Sequence, residues 1–299
     1  MSSTPLIPAD VQFSSAGQQC SAWWYRPEGS GPFATIVMAH GLGGTREQRL
    51  PAFAERFSEA GYACLVFDYR HFGASEGEPR QILDIQKQLA DWKAAIAYVR
   101  DRSDADRNRI VLWGTSFAGG HVLATAAEDD QIAAVISQCP FTDGLASGLA
   151  MDPMTSLKLT ALALRDRVGS WLGADPVMVK LAGRPGELAL MNAPDAASGY
   201  TAVRDGSDAP EHVAARIALD IVRYYPGRQV RNIKARILFC VCDSDTVAPA
   251  PRTLKHAKHA PDKDIKCYPD GHFDIYSGGP FEQVVNDQIA FLHQTVPAN

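Results

Sequence analysis

No stretch of this chain is long and apolar enough to span a bilayer. Its opening residues, MSSTPLIPAD, hold neither the basic nor the apolar segment of a secretory leader. A cytoplasmic location without a membrane partner is the corresponding expectation. Basic residues form no stripe, and 29 Lys and Arg against 34 Asp and Glu leave a formal charge of −5. That balance excludes the electrostatic footprint of a nucleic-acid binder. Cysteine is sparse, and four of the six (Cys64, Cys139, Cys240, Cys242) sit in apolar runs, as buried thiols of a reducing compartment do. Cys240 and Cys242 would share one face of a strand, yet no Cys or His follows at ligand spacing, so no metal is expected. The G-x-G-x-x-G spacing of a dinucleotide site is missing too. The HGLGG stretch departs from it, and Asp68, the acid after the next strand, is followed by Tyr-Arg-His. No cofactor is expected.

What is present reads as a globular α/β protein, 46% hydrophobic and 21% charged. Two alternating segments, VQFSS and QQCSAWWYRP, are parted by Ala16 and Gly17 and predict an antiparallel hairpin. Strands follow at 34–41, in YACLVFDYR, at 109–114 and at 132–140. Helices follow at 46–61, within 81–100 and from about Ser116. The rhythm breaks over 142–229, where helical patterns dominate. One places Leu157, Leu164, Val168 and Trp171 on a face, and another does so with Val213, Ile217, Ile221 and Tyr224. Alternation resumes with ARILFCVCD, a helix near 251–260, the strand DIKCYP and a helix over 281–295. The pattern predicts a mostly parallel, doubly wound sheet of residues 1–141 and 230–299, with 142–229 inserted as a helical cap.

In such a sheet the loops at the carboxyl ends of the strands hold the chemistry. Gly114-Thr115-Ser116-Phe117-Ala118 has the form of a nucleophile elbow, except for alanine at its last position; a plain serine N-cap is the alternative. HGLGG, after the first buried strand, can turn the Leu42 amide toward an oxyanion, with the Phe117 amide as second donor; otherwise it is a simple glycine turn. His40 and Gly41 of that loop are candidate substrate-binding residues, with His40 also a candidate brace. VCDSDTVAP offers Asp245, with Asp243 and the more distant Asp143 as competing acids. YPDGHFDIY places His272 after the last strand. Serine, acid and histidine thus fall in the order of a hydrolase triad, each at a strand end. His121 reads as a packing residue, and His256 and His259 as solvated helix residues. The leucines and methionines of the insertion, with Trp171, could line a pocket or form ordinary core.

Together these motifs resemble the α/β-hydrolase superfamily of serine hydrolases over nearly the whole chain. DYRHFGASEGEPR resembles that family's segment after its second parallel strand. GRPGELALMNAPDAASGY resembles a subgroup of bacterial serine hydrolases related to dienelactone-hydrolase-like enzymes and fungal polyketide transferases. The resemblance implies a cofactor-free hydrolase in which Ser116 attacks an acyl carbonyl, His272 takes its proton and Asp245 holds the histidine. Its expected substrate is a carboxylic ester or thioester of a small to medium apolar acyl group. An acyltransferase with the same triad and a non-catalytic apolar-ligand binder are the rival expectations. Assembly as a homodimer is an open one.

Overall fold

Parallel strands covered on both faces must be apolar at every position rather than at alternate ones. The runs FATIVMA, ACLVF, AVISQ and RILFCVC provide this at all positions but Thr35, Ser137, Gln138 and Arg236. In the computed structural model, which describes residues 7–149, 151–204 and 206–298, they form β3 (Phe33–Ala39), β4 (Ala63–Phe67), β6 (Ala134–Gln138) and β10 (Arg236–Cys242). With β5 (Ala105–Thr115) and β11 (Lys263–Tyr268) they make a parallel array. The predicted hairpin, β1 (Ala9–Ser15) and β2 (Gln18–Tyr25), adds antiparallel to β4 at its edge. Among the described residues the sheet has eight strands in the order β1-β2-β4-β3-β5-β6-β10-β11.

Alternate residues of each strand feed two apolar layers. Val37 and Leu112 join Trp92, Ile96 and Leu123 of helices α2 (Ile85–Arg100) and α3 (Phe117–Ala126). Ile36 and Trp113 join Phe53, Val284 and Leu292 of helices α1 (Leu50–Glu59) and α9 (Gly278–Thr295). Helix α1 starts four residues later than its apolar pattern suggests. Arg49 takes φ 63°, outside the helical region, and Pro51 occupies the first turn, where its missing N–H costs nothing.

Between β6 and β10 the chain leaves this sheet, and 142–229 holds short strands as well as the expected helices. Helices α4 (Gly144–Leu149), α5 (Pro153–Trp171), α6 (Ala196–Arg204) and α7 (Ile217–Ile221) alternate with short strands β7 (Met178–Ala182), β8 (Ala189–Met191) and β9 (His212–Ala214). The strands pair as a small sheet in the order β8-β7-β9. Val213, read as helical, is therefore a strand residue, and Ile217 begins a separate short helix. A 3₁₀ turn, Pro226–Asn232, leads back to the core, where α8 (Ala250–Ala257) connects β10 to β11.

Helix α5 corrects a second expectation. Leu157, Leu164, Val168 and Trp171 face outward, with Leu157 65% and Trp171 76% exposed. The buried residues are instead Thr155, Leu159, Ala163 and Asp166. Asp166 fixes this orientation. Its carboxylate accepts from the Arg216 guanidinium at 2.7 and 2.9 Å and from the Val177 and Arg216 amides, both at 2.8 Å. A buried carboxylate with four donors cannot be turned to the surface without leaving Arg216 unpaired, a loss of about 3–5 kcal/mol.

Candidate active site

Strand β5 ends and α3 begins without a loop, so the chain must reverse direction at Ser116. The serine takes φ 56° and ψ −118°, a region that L-residues enter only under constraint. The constraint is visible on both sides. Ser116 N–H donates to the Gln138 carbonyl at 2.9 Å, and its own carbonyl accepts from Phe141 N–H at 2.9 Å. Strand and helix approach so closely that a Cβ on Gly114 would fall 2.2 Å from the Ala118 carbonyl oxygen. One on Gly119 would fall 2.9 Å from Cα of Pro140. The need for smallness therefore lies at Gly114 and Gly119. Ala118, the departure from the motif, is fully buried and accommodated.

The loop after β11 delivers His272, and the turn after β10 delivers Asp245. His272 Nε2 lies 3.0 Å from Ser116 Oγ, and His272 Nδ1 lies 2.7 Å from Asp245 Oδ2. The other carboxylate oxygen, Oδ1, accepts from the Val247 and Ala248 amides at 2.8 and 2.6 Å. Both oxygens are thereby committed, one to the turn and one to the imidazole. Burial opposes a charged imidazole, but the Asp245 carboxylate outweighs it and raises the His272 pKa well above 6.5. The competing acids lie elsewhere. Asp243 is exposed. Asp143 accepts from the Ala146 amide at 3.0 Å, capping α4, and stands 3.9 Å from His256 Nε2. His256 is consequently half-buried against Asp143 rather than solvated, whereas His259 is exposed. His121 is buried between Tyr224 Oη and Gln88 Oε1, at 2.8 and 2.9 Å, with its pKa lowered to about 3 by burial.

Gly41 packs directly beneath the elbow. A Cβ there would lie 2.9 Å from Ser116 Cβ and 3.4 Å from Phe117 N, so only glycine lets the HGLGG loop pass so close. Leu42 and Phe117 line, with Ser116, a cavity of about 430 Å³. Its remaining wall is largely apolar and comes from both the core and the insertion: Phe141, Met151, Leu159, Met191, Ile221 and Val247 among others. His40 and Gly41 do not line this cavity. They line a narrow compartment of about 20 Å³ shared with Ser116 and His272. Burial lowers the His40 pKa to about 4, so the ring is neutral. Trp171, read as a pocket or core residue, is neither and lies on the outer surface.

Behind the elbow runs a polar chain that sequence reading missed. Trp113 Nε1–H donates to Gln288 Oε1 at 3.0 Å, Gln288 Nε2–H to Gln138 Oε1 at 2.7 Å, and Gln138 Nε2–H to Thr115 Oγ1 at 3.1 Å. Thr115 in turn bonds Tyr276 Oη. Cys139, at φ 33°, closes the cluster: its sulfur, an Asp245 oxygen and a His272 nitrogen all lie within 4.8 Å of one another. Two glutamines at the end of β6 and inside α9 carry no motif. The one available signal was position: Gln138 ends an apolar strand, and Gln288 falls on the buried stripe of α9 with Phe281, Val284, Val285 and Leu292, where an amide needs a partner.

Known proteins resemble this chain over most of its length. The family model Hydrolase_4, serine aminopeptidase S33, matches residues 30–277. The quorum-quenching protein AidA of Acinetobacter baumannii is 62% identical, over 99% of this chain and 98% of its own length. The thiohydrolase aneE of Aspergillus aculeatus is 27% identical over 96% and 93%. The polyketide transferase grgF of Penicillium is 26% identical over 98% of both chains. The crystal structure of GrgF, at 25% identity, superposes with a TM-score of 0.82 over 97% of this chain and 99% of that one. This chain belongs to the Hydrolase_4 family of α/β hydrolases.

Proposed function

We propose that the protein is a serine hydrolase cleaving a carboxylic ester or thioester of a small to medium apolar acyl group. The observation that carries this reading is the Asp245–His272–Ser116 hydrogen-bonded array, at 2.7 and 3.0 Å, whose serine lines a largely apolar cavity of about 430 Å³. Ser116 Oγ attacks the acyl carbonyl while His272 Nε2 accepts its proton. The Leu42 and Phe117 amides receive the negative charge on the carbonyl oxygen, each donor contributing about 2.7–4 kcal/mol. Collapse expels the alkoxide or thiolate, which takes the proton from His272 and leaves the acyl group on Ser116. Water, deprotonated by His272, then releases the acid. His40 and Gly41, in the narrow compartment beside Ser116, contact the substrate near its reacting carbonyl, and residues 142–229 act as the cap. The 62% identical relative is named for quorum quenching. Carried to this chain, that role would make the substrate a molecule used in bacterial signalling.

A second reading, acyl transfer to an alcohol or amine, is favoured by the apolar wall around Ser116, which shields an acyl-enzyme from water. The relative named a polyketide transferase fits it as well. Labelling with a fluorophosphonate, followed by turnover of aryl esters graded in acyl length, tests both. Hydrolysis in buffer alone supports the hydrolase, and turnover only with added acceptor supports the transferase. Failure of Ser116 to label in folded protein that binds apolar ligand would leave a binding protein.

Two further outcomes follow from the site. Only neutral His272 can accept the serine proton, and Asp245 raises its pKa above 6.5. The acid limb of kcat/KM should therefore fall as pH drops through a value higher than that of a free imidazole; a flat limb would remove His272 from the mechanism. Leu159 is a buried residue of the cavity wall, so a larger side chain there would take up cavity volume. Leu159→Trp should weaken transition-state binding of the longest acyl chains by about 1–3 kcal/mol. Acetyl esters should be processed as before, which a chain-length series of kcat/KM checks.

A further inference from the structure

Ser116 borders two spaces of very different size, the large apolar cavity and the compartment of about 20 Å³. His272, the base of the array, lines only the small one. Volume decides what can occupy it. A single water needs about 10–15 Å³ and at least two polar partners. An alcohol or amine of several carbons does not fit.

The polar partners can be found by elimination. Val203 and Phe273 contribute apolar wall. Two hydroxyls are engaged elsewhere, Tyr200 Oη with the Pro210 carbonyl at 3.1 Å and Tyr276 Oη with Thr115. Ser116, His272 and His40 remain. His40 is 6% exposed, and neither ring nitrogen has a hydrogen-bond partner among the described residues. A buried nitrogen in that position calls for a water. A Cβ on Gly44 would clash with both His40 Nδ1 and Gln48 Oε1, so the two atoms flank the same point. An acceptor on that side keeps the ring proton on Nδ1 and leaves the Nε2 lone pair for the compartment. Burial holds the ring neutral, with its pKa at about 4.

We propose that this compartment holds the water that hydrolyses the acyl-enzyme, and that His40 positions it. The inference rests on the hydrolase reading above. In the acyl-enzyme one water O–H donates to His272 Nε2 and the other to His40 Nε2. The water oxygen bonds to the acyl carbon as its first proton passes to His272. The intermediate then breaks at its bond to Ser116 Oγ, the serine oxygen recovers that proton from His272, and the carboxylic acid leaves. His40 takes no proton. It fixes the second O–H, so that a lone pair faces the carbonyl. Water is thereby admitted beside the base where a bulkier acceptor is not, which favours hydrolysis over transfer.

Pre-steady-state turnover of nitrophenyl butyrate separates acylation, read as the burst, from deacylation, read as the steady rate. His40→Leu should slow deacylation about 100-fold more than acylation, so that butyryl-Ser116 accumulates in the intact-protein mass spectrum. His40→Gln keeps an acceptor and should recover about tenfold of that loss. Against failure of His40→Leu to fold, Val203→Met fills the compartment from α6 and should slow deacylation with the same selectivity. Equal loss in both steps would make His40 a brace for the Leu42 donor, which serves both, and would overturn the inference while leaving the hydrolase reading in place. Unchanged deacylation in His40→Leu would do the same. A wild type that neither releases nitrophenol nor labels at Ser116 would overturn the reading and the inference together.

Discussion

Ser116→Ala should reduce turnover of any ester substrate by about 10⁴-fold or more while leaving the fold and the cavity intact. The backbone at residue 116 is held by two hydrogen bonds that do not involve the side chain, from its amide to Gln138 and to its carbonyl from Phe141. Alanine meets the same φ of 56° with no more strain than serine does. The substitution removes one oxygen from a cavity wall that is mostly apolar. Acyl-ligand affinity and Tm should therefore stay near wild-type values while covalent labelling disappears. Such a separation of binding from turnover is what a nucleophile predicts and a helix cap does not. Turnover within tenfold of wild type would assign the chemistry to another residue.

Asp245→Asn should cost nearly as much, about 10⁴-fold in kcat, and the hydrogen bonding around the carboxylate says why. Oδ1 accepts from two backbone amides, and an NH₂ group placed there would meet two donors. Asparagine must therefore keep its oxygen on the turn and point its nitrogen at His272. The imidazole then has a donor facing Nδ1, carries its proton on Nε2, and cannot take one from Ser116. The activity lost should not return at high pH, because the fault is a tautomer and not a charge. A pH–rate profile of the variant checks this; near-normal kcat at alkaline pH would show that Asp245 acts through charge alone.

The parallel strands were legible because burial on both faces erases alternation, leaving runs such as FATIVMA that helices of this size rarely show. The hairpin was legible for the opposite reason. The residues that meet at the site could be read because each follows a strand in a fixed order. Asp243 and Asp245 could not be separated in that way. What separates them is whether two amides converge on the side chain, and only the turn geometry of 245–248 contains that. The insertion was the least legible part. Its strands are three to five residues long, too short for period two to register. On α5 the more apolar stripe faces outward, because the Asp166 carboxylate, bonded to Arg216, holds the other face inward. The cavity wall inherits that uncertainty, since its side chains come from segments distant in sequence.

The amide chain behind the elbow also bears on how such a protein can change over time. An indole N–H can only donate, so Trp113 dictates the orientation of Gln288, which dictates that of Gln138, and so on to Thr115. The whole file reads in one direction. Replacing either glutamine by glutamate would place a negative charge at a fully buried position whose neighbours in the file are an indole, an amide and a hydroxyl, none of them a cation. Drift along this line is therefore confined to neutral side chains that can still meet the indole donor at one end and the hydroxyls at the other. Its members are expected to persist together in descendants or to vanish together.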